Sequence, residues 1–546
     1  MNRRFLFLSL AIALGYSFLF FRLYNIQVSK NGYYVAKAEM QYAASGLVAA
    51  KRGTIYFADK NGTKLAVAVE NDSPVVYAVP KLVDDAKEAY NRLLEVIKGL
   101  PLSVETSLAN KNSSYVLLER KADQSVVDRI TAENIKGVVV DDVPERYYPF
   151  GSLAAHVLGF VGPNSSDNGE SGKYGVEKFY EDFLSGVPGK TENGKLVQPQ
   201  DGQDLVLTID QNIQKKAETI LSDLEKITQA KSGVFIVEEP STGKILAMGG
   251  YPNFDPNNYS DANVADFINP AIQKIYEPGS VVKVMTMAAG IDTGKITPHT
   301  TYLDKGTVVI NGMRIDNHDY KTHGAYGVID MTKVLENSLN LGAIFAESQT
   351  GNNVFRNYLV KFGINSKTGI DLPGEIAGDL RPLFGSYVPQ VNFADASFGQ
   401  GIAMTPLELI NAVSVIANGG EMMRPYINSA LGPKSLGTVI SSSTARQVTG
   451  MMVSAVDSVK INNIAGYSIA GKTGTSNIPD PKTGGYSQKV DNTYVGFGPA
   501  SNPRFIALIK LEDPVGAPIA ATTVMPAFRD LAQFILNYYN IPPDRL

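Results

Sequence analysis

The sequence predicts an α+β fold for the larger, C-terminal part of the chain, an antiparallel sheet flanked by helices. A β-rich domain and one N-terminal transmembrane helix are predicted before it. Hairpin patterns occur at both ends of residues 204–546 with helical patterns between them, short strands and turns fill residues 22–203, and a charge-free apolar run follows residues 1–4. A chain of 546 residues has room for several domains of about 150 residues each.

The N-terminal run has the composition of a membrane anchor. Phe5 to Phe21 carry no charge, Arg3 and Arg4 precede the run, and Arg22 ends it. Its length is near the roughly 20 residues that span a bilayer, and no A-x-A cleavage site follows closely. Because positive residues favour the cytoplasmic side, residues 1–4 are predicted as a cytoplasmic tail, 5–21 as an uncleaved anchor, and the remainder as extracytoplasmic.

Residues 22–203 are predicted as a separate domain. Short strands alternate with turns, for example at Lys60-Asn61-Gly62, which is typical of a hairpin. The polar, glycine-rich stretch 189–204 then indicates the boundary, because such segments connect domains. Residues 204–546 form the second predicted domain.

The second domain opens with a strand and then an amphipathic helix after Asp210, a good N-cap. Two hairpins follow from the patterns "SGVFIVEEPSTGKILAMGGYP" and, far downstream, "NTYVGFGPASNPRFIALIKLED". A helix is predicted to start at Pro526. Hairpins at both ends of a segment with helices between them favour a single sheet assembled from both ends.

Composition excludes several kinds of function. The chain has no cysteine, which excludes disulfides, thiolate catalysis and cysteine-based zinc sites. Its net charge of −4 does not indicate a nucleic-acid partner. His318 and His323 lie in a polar, glycine-containing stretch, where a loop is favoured over a metal site. We expect no metal and no cofactor.

Two S-x-x-K patterns occur, and their surroundings differ. Ser241 and Lys244 fall in a predicted hairpin turn, which gives the serine no scaffold. Ser280 follows Glu-Pro-Gly and opens an apolar helical pattern, so that Lys283 lies on the same helix face as the serine. The alternative is a serine N-cap with a chance lysine. A nucleophilic serine also needs partners elsewhere in the chain.

Downstream motifs supply those partners. Ser338-Leu-Asn340 begins a helical run, and Lys472-Thr-Gly-Thr475 adjoins an apolar, strand-like stretch. Two further K-T-G strings, at Lys367 and Lys482, lie in loop sequences and are taken as decoys. The order S-x-x-K, S-x-N, K-T-G is the signature of penicillin-recognising serine enzymes.

On these motifs the sequence resembles the class B penicillin-binding proteins, monofunctional D,D-transpeptidases of bacterial wall synthesis, over nearly the whole chain. The segments "KRGTIYFADKNGTKLA", "RYYPFGSLAAHVLGFVG" and "SFGQGIAMTPLEL" are similar to family segments. The resemblance implies a penicillin-binding/β-lactamase-like transpeptidase domain behind a pedestal or dimerisation-type domain. One departure is Leu339, where a small residue is common.

The resemblance also implies the chemistry. Ser280 attacks the penultimate D-Ala carbonyl of a stem peptide ending in D-Ala-D-Ala, and Lys283 takes its proton. Ser338 relays a proton to the leaving D-Ala, and Asn340 lines the cleft beside it. An amine from a neighbouring stem peptide then resolves the acyl-enzyme into a crosslink.

The K-T-G segment is implied to bind the substrate. Lys472 and Thr475 hold its carboxylate, with Thr473 and Gly474 beside them, and the backbone N–H groups of Ser280 and Thr475 form the oxyanion hole.

A free lysine has a pKa near 10.4, so Lys283 can act as a base only if burial and a nearby positive charge lower its pKa. We hypothesise that Lys472 supplies that charge.

The implied partners are peptidoglycan stem peptides, β-lactams, the membrane, and a SEDS-type glycosyltransferase that supplies polymerase activity. The location is the bacterial cytoplasmic membrane, with the catalytic domain outside.

A D,D-carboxypeptidase stays open as an alternative, because it shares the acylation step. A β-lactamase is disfavoured, since its E-x-x-L-N pattern at Glu336 overlaps the S-x-N motif. A non-catalytic sensor is disfavoured because the reacting groups are present, and the division or elongation role stays open.

Overall fold

The computed structural model describes residues 3–24, 47–48, 50–113, 115–164, 170–192, 195–459, 461, 463–480, 482, 484–517 and 519–545. A helix over Arg3–Tyr24 covers the predicted anchor, while residues 1 and 2 of the predicted tail lie outside the described residues. No helix in the described part of the chain is long and apolar enough to cross a membrane. The transmembrane prediction is therefore not confirmed.

The N-terminal domain is built on a mixed sheet. Its long central strand, Lys64–Ala78, pairs with three antiparallel neighbours: Ile55–Ala58, Val116–Glu119 and Val138–Tyr147. The predicted hairpin at Lys60-Asn61-Gly62 is confirmed, with Gly62 at φ +81°, a left-handed conformation that glycine adopts without strain. Leu205–Val206 adds to this sheet in parallel with Ile55 and Tyr56.

Smaller elements complete this domain. Its other strands are Leu47–Val48, Val161–Pro163, Glu170–Gly172, Gly189–Glu192 and Lys195–Val197. Its helices are Ala86–Val96, Ser103–Ala109, Gln124–Glu133, Ala155–Leu158, Gly175–Phe179 and Glu181–Leu184, with a 3-10 turn at Pro80–Leu82.

A buried ion-pair network joins two of the family-like segments in this domain. Glu177 has no exposed surface, and its carboxylate lies 2.7 Å from Nε of Arg52 and 2.6 Å from Nε of Arg146. Buried charges are tolerated only when paired and hydrogen-bonded, and Glu177 pairs with both arginines, while Arg52 also pairs with Glu181 at 2.8 Å. The network explains why arginines occur in both the K-R-G and E-R-Y segments.

The C-terminal domain contains one five-stranded antiparallel sheet, which we call the central sheet. Its order is Lys244–Tyr251, Ser232–Glu239, Phe505–Glu512, Gly485–Gly498 and Ala470–Asp480. Both predicted hairpins are confirmed, and the sheet is assembled from the two ends of the domain as predicted. The strand Ala470–Asp480, called here the K-T-G strand, lies at one edge.

Helices cover both faces of the central sheet. Phe235 and Val237 pack with Ile213 and Phe528, which belong to the helices Gln211–Thr228 and Val524–Tyr538. The alternate residues Val234 and Ile236 lie in the opposite cluster with the helix Pro406–Ala417. This period of two is what a strand buried on both faces produces.

Asp210 caps its helix as predicted, accepting from the N–H groups of Asn212 and Ile213. The last helix begins at Val524, two residues before the predicted start at Pro526, because proline fits the first turn of a helix, where N–H groups lack partners.

The remaining elements of this domain lie between the two hairpins along the chain, except for the turn Ala520–Thr522, which follows the second hairpin. The helices are Pro270–Gln273, Lys283–Asp292, Tyr320–His323, Met331–Glu336, Asn340–Thr350, Asn352–Lys361, Gln390–Ser397 and Ser442–Val459. The paired short strands are Thr301–Asp304 with Gly327–Asp330, Thr307–Ile310 with Met313–Asp316, and Glu421–Met423 with Ser435–Thr438. The 3-10 turns are Pro256–Asp261, Val264–Phe267, Gly279–Val282, Arg381–Leu383, Ser429–Leu431 and Ala520–Thr522.

Candidate active site

Ser280 lies in a 3-10 turn, Gly279–Val282, that leads directly into the helix Lys283–Asp292. The sequence predicted that the helix opens at Ser280, whereas the α-helix begins three residues later. The N-cap of the turn is Pro278, and no side chain caps it. The serine is therefore not a helix cap, and its hydroxyl is free for another role.

The tight turn aims Ser280 at Lys283. The Nζ atom of Lys283 lies 2.9 Å from Oγ of Ser280, within hydrogen-bond reach. Ser280 is partly exposed, whereas Lys283 is fully buried. This pairing gives a hydroxyl accessible to a ligand and an amine shielded from water.

Two further oxygens fix the amine. Nζ of Lys283 donates to the backbone carbonyl of Ser338 at 2.5 Å and to Oδ1 of Asn340 at 2.8 Å. Both oxygens only accept, so they take two N–H bonds of a neutral amine. The remaining lone pair then points toward the Ser280 hydroxyl, which is the orientation that a general base requires.

The pKa of Lys283 is lowered well below its ordinary value. Burial is the larger cause, because the ammonium loses its hydration, and the positive charge of Lys472 is the second. The carboxylate of Asp319 acts in the opposite direction. The surroundings therefore favour the neutral amine.

Ser338 sits between the two lysines. Nζ of Lys472 donates to its hydroxyl at 2.9 Å, and Nζ of Lys283 lies 3.4 Å from the same oxygen. Ser338 has φ +54°, a left-handed conformation that costs energy for a residue with a side chain. The local fold holds this strained backbone, which presents the Ser338 carbonyl and hydroxyl to Lys283 together.

Lys472 is also buried. Burial alone lowers its pKa to about 7, so that it titrates near neutral pH in the free protein. Its Nζ also lies 3.1 Å from the carbonyl oxygen of Thr473. A bound carboxylate would stabilise the charged form, because opposite charges attract strongly in a site screened from water.

The K-T-G strand packs directly against the turn Gly279–Val282, called here the nucleophile turn because it carries the predicted nucleophile Ser280. A Cβ atom at Gly474 would lie 2.4 Å from the carbonyl oxygen of Pro278 and 3.0 Å from Cγ2 of Val281. Oγ of Ser476 donates to the carbonyl of Glu277 at 2.6 Å and fastens the same two segments. Only glycine permits this approach, which explains its place in the motif.

Thr473 and Thr475 lie on the exposed side of the strand, next to Lys472. Thr475 is exposed, and its hydroxyl accepts from the N–H of Ala520 at 3.2 Å, with Oδ1 of Asn492 at 3.5 Å. Of the predicted residues, Ser280, Lys283, Ser338, Asn340 and Lys472 thus form one hydrogen-bonded cluster. Thr473, Gly474 and Thr475 line its edge along the strand.

Sequence reasoning missed two segments beside the site. Gly399, with φ +85°, accepts from the N–H of Gly279 at 3.1 Å, and a Cβ there would lie 2.1 Å from the carbonyl oxygen of Gly279. The segment Asp316–Asp319 contacts Asn340 and carries His318, whose pKa is lowered by partial burial and by both lysines. The glycine-rich string "SFGQG" was a signal for the first segment, and no motif marked the second.

The alternative motifs lie away from the cluster. Ser241 is exposed in the turn of the first hairpin, as predicted. Lys367 lies in a loop after the helix Asn352–Lys361. Glu336 bonds to Nζ of Lys333 and to Oγ of Ser454, both at 2.6 Å, so its carboxylate is engaged outside the cluster.

A partly exposed hydroxyl beside a buried amine, with a second buried amine on an edge strand, is the arrangement expected of a serine-type acyl-transfer enzyme. Comparison with known families agrees with that class. Residues 233–532 match the penicillin binding protein transpeptidase domain, and residues 47–220 match the penicillin-binding protein dimerisation domain. The chain belongs to the class B penicillin-binding proteins and is a peptidoglycan D,D-transpeptidase.

Individual relatives cover most of the chain. It is 31% identical to stage V sporulation protein D of Bacillus subtilis over 88% of this chain and 78% of that protein. It is 29% identical to the peptidoglycan D,D-transpeptidase FtsI of Escherichia coli over 100% of this chain and 93% of that protein. The structure of penicillin binding protein 2X from Streptococcus thermophilus shares the fold, with a TM-score of 0.71 and 22% identity over 91% of this chain and 80% of that one.

Proposed function

We propose that Ser280 is the nucleophile and Lys283 the general base with which this transpeptidase crosslinks stem peptides. The observation that carries the proposal is the environment of Nζ of Lys283. Two acceptor-only oxygens occupy its N–H bonds, while Oγ of Ser280 lies 2.9 Å away. A neutral, oriented amine within reach of a hydroxyl is what activation of a serine requires.

In the acylation step, Oγ of Ser280 attacks the penultimate D-Ala carbonyl and transfers its proton to Nζ of Lys283. The backbone N–H groups of Ser280 and Thr475 hold the oxyanion of the tetrahedral intermediate. The peptide bond then breaks, and the proton held by Lys283 passes through the hydroxyl of Ser338 to the amine nitrogen of the leaving D-Ala. The hydroxyl of Ser338 accepts a 2.9 Å hydrogen bond from Nζ of Lys472 and lies 3.4 Å from Nζ of Lys283, which supports this route.

In the second step, an amine of a neighbouring stem peptide attacks the acyl carbonyl. The attacking amine loses a proton to Lys283 and Ser338 as the Ser280–acyl bond breaks. The product is a new peptide bond between two stems, and Ser280 recovers its proton. The reaction consumes no cofactor, since one amide replaces another.

Lys472, Thr473, Gly474 and Thr475 form the carboxylate site in this proposal. The buried Lys472 faces Ser338, and the exposed Thr475 lies three residues farther along the same strand. A substrate chain laid along an edge strand gains backbone hydrogen bonds as well as this charge contact. Penicillins carry a carboxylate and a strained amide. The same K-T-G residues therefore bind the carboxylate, and the amide acylates Ser280.

The experiment separates transpeptidation from its nearest alternative. The full chain in detergent is incubated with a stem peptide ending in D-Ala-D-Ala, with and without an amine acceptor. We expect release of D-Ala and formation of the crosslinked product, both abolished by Ser280→Ala. Release of D-Ala with only the hydrolysed tetrapeptide would instead identify a D,D-carboxypeptidase.

For its setting, we propose an N-terminal tail of residues 1–4, a single-pass anchor at 5–21, a pedestal at 22–203 and a transpeptidase domain at 204–546 outside the cytoplasmic membrane. The charge-free run behind Arg3 and Arg4 supports the anchor. We further propose a SEDS-type glycosyltransferase as partner, because residues 47–220 match a dimerisation domain rather than a glycosyltransferase.

A further inference from the structure

The helix Asn340–Thr350 begins without a cap of its own. Its N-cap residue is Leu339, whose apolar side chain makes no hydrogen bond to the first turn. The first N–H groups of a helix lack internal partners and need an acceptor when they are buried. The start of this helix carries Asn340, one of the three groups that hold Lys283.

A residue from another segment provides the missing cap. Oδ1 of Asn317 accepts the backbone N–H of Leu341 at 3.1 Å, although the two residues are 24 positions apart. Asn317 is only 2% exposed, so no water replaces this acceptor. The contact satisfies a helix donor in the way an N-cap side chain does, but across the fold.

The other end of the Asn317 amide is also fixed. Its Nδ2 donates to Oδ1 of Asp304 at 2.9 Å, and Asp304 is 1% exposed. That carboxylate accepts in addition from the hydroxyl of Tyr302 and the N–H of Tyr326, both at 2.9 Å. The Asn317 side chain therefore has one orientation, because only that one leaves every donor and acceptor paired.

Asp316, which precedes Asn317, holds the side-chain amide of Asn340. Nδ2 of Asn340 donates to the carbonyl oxygen of Asp316 at 3.0 Å, which turns Oδ1 of Asn340 toward Nζ of Lys283. Asp316 and Asn317 are consecutive, so one segment fixes both the side chain of Asn340 and the backbone of Leu341. A shift of this segment moves the acceptor that orients the base.

We propose that Asn317 is a positioning residue for acylation, acting through Asn340 on Lys283. The inference rests on the proposed function, since it gives Lys283 the role of base. Asn317 does not touch the substrate. It is a structural substitute for the cap that Leu339 does not provide.

The test measures acylation by a labelled penicillin in the full chain carrying Asn317→Ala. We expect the limiting acylation rate to fall about tenfold or more, since small displacements of catalytic groups have such effects, while the dissociation constant of the initial complex changes less than twofold. Asp210→Ala is the control, because it removes a buried cap from a helix that carries no residue of the cluster around Ser280. It lowers the melting temperature but leaves the acylation rate unchanged.

A double-mutant cycle separates positioning from general destabilisation. In an Asn340→Ala background, Asn317→Ala should lower the melting temperature again but should not reduce acylation further, because the group it positions is gone. Additive losses in acylation, or a normal rate in Asn317→Ala alone, overturn the inference.

Should Asn317→Ala fail to fold, Asp304→Asn weakens the same chain of hydrogen bonds from its other end. We expect it to reduce acylation about threefold, and again only when Asn340 is present. Equal losses with and without Asn340 overturn the inference in this variant too. If the wild-type chain itself forms no adduct on Ser280, the proposed function fails, which is a separate result.

Discussion

Nζ of Lys472 donates a 2.9 Å hydrogen bond to the hydroxyl of Ser338. Nζ of Lys283 lies 3.4 Å from the same oxygen, so one hydroxyl connects two buried amines. Two ammonium groups this close repel each other strongly in a site shielded from water. Their protonation is therefore linked, and the charge on one amine favours the neutral form of the other.

Lys472→Met should shift the acid limb of the acylation pH profile. Lys283 must be neutral to act as base, and burial and the charge of Lys472 both lower its pKa. Removing that charge raises the pKa of Lys283, so the acid limb moves to higher pH. The measurement is the rate of penicillin acylation from pH 5 to pH 9. Lys244→Met, at the start of the strand after the S-x-x-K turn, is the control, and an unmoved limb in Lys472→Met refutes the linkage.

The same substitution should stabilise the fold, most strongly at low pH. The pKa of Lys472 falls from 10.5 to about 7 on folding, so below pH 7 the folded state holds a costly buried ammonium. Between about pH 7 and 10.5 the cost shrinks as the unfolded state approaches neutrality, and above 10.5 it vanishes. We expect the free energy of unfolding to rise by roughly 2–4 kcal/mol at pH 6, once the loss of the Lys472 hydrogen bonds is subtracted.

Thermal melting of both proteins at pH 6, 8 and 10 checks this. The difference in melting temperature should decrease with pH. A variant that is less stable than the wild type at pH 6 would show that Lys472 contributes more through its hydrogen bonds than its burial costs.

Gly474→Ala should separate the K-T-G strand from the nucleophile turn. The added Cβ would lie 2.4 Å from the carbonyl oxygen of Pro278, a contact that backbone movement must relieve. We expect acylation to slow about 100-fold, since the proposed oxyanion site spans these two segments. Gly450→Ala is the matched control, because its Cβ meets nothing within 4 Å and it should stabilise its helix by about 1 kcal/mol. Similar acylation rates in the two variants would contradict the close-approach argument.

The hairpins of the central sheet and the choice of the proposed reacting groups followed from the sequence, because alternating apolar residues and motif order are local signals. The cap at Leu341 did not, since Asn317 reaches it from a different segment and no spacing encodes that contact. The left-handed backbone of Ser338 was equally hidden, because nothing in a serine indicates positive φ. The N-terminal anchor rests on composition alone.

Glu336→Gln should leave the lifetime of the penicillin adduct unchanged. In this chain the glutamate of the E-x-x-L-N string bonds to Lys333 and Ser454 and does not reach the cluster around Ser280. A deacylating glutamate would have to activate water beside the acyl bond. The measurement is the rate of adduct loss after removal of free penicillin. Slower loss in the variant would assign Glu336 a hydrolytic role.

The most direct test of the account uses the two S-x-x-K serines of this chain as an internal comparison. The wild-type chain, Ser280→Ala and Ser241→Ala are treated with a labelled penicillin, and the modified peptide is located by mass spectrometry. The account predicts a long-lived adduct on Ser280 in the wild type and in Ser241→Ala, and none in Ser280→Ala. An adduct that persists in Ser280→Ala, or that maps to another residue in the wild type, would contradict it.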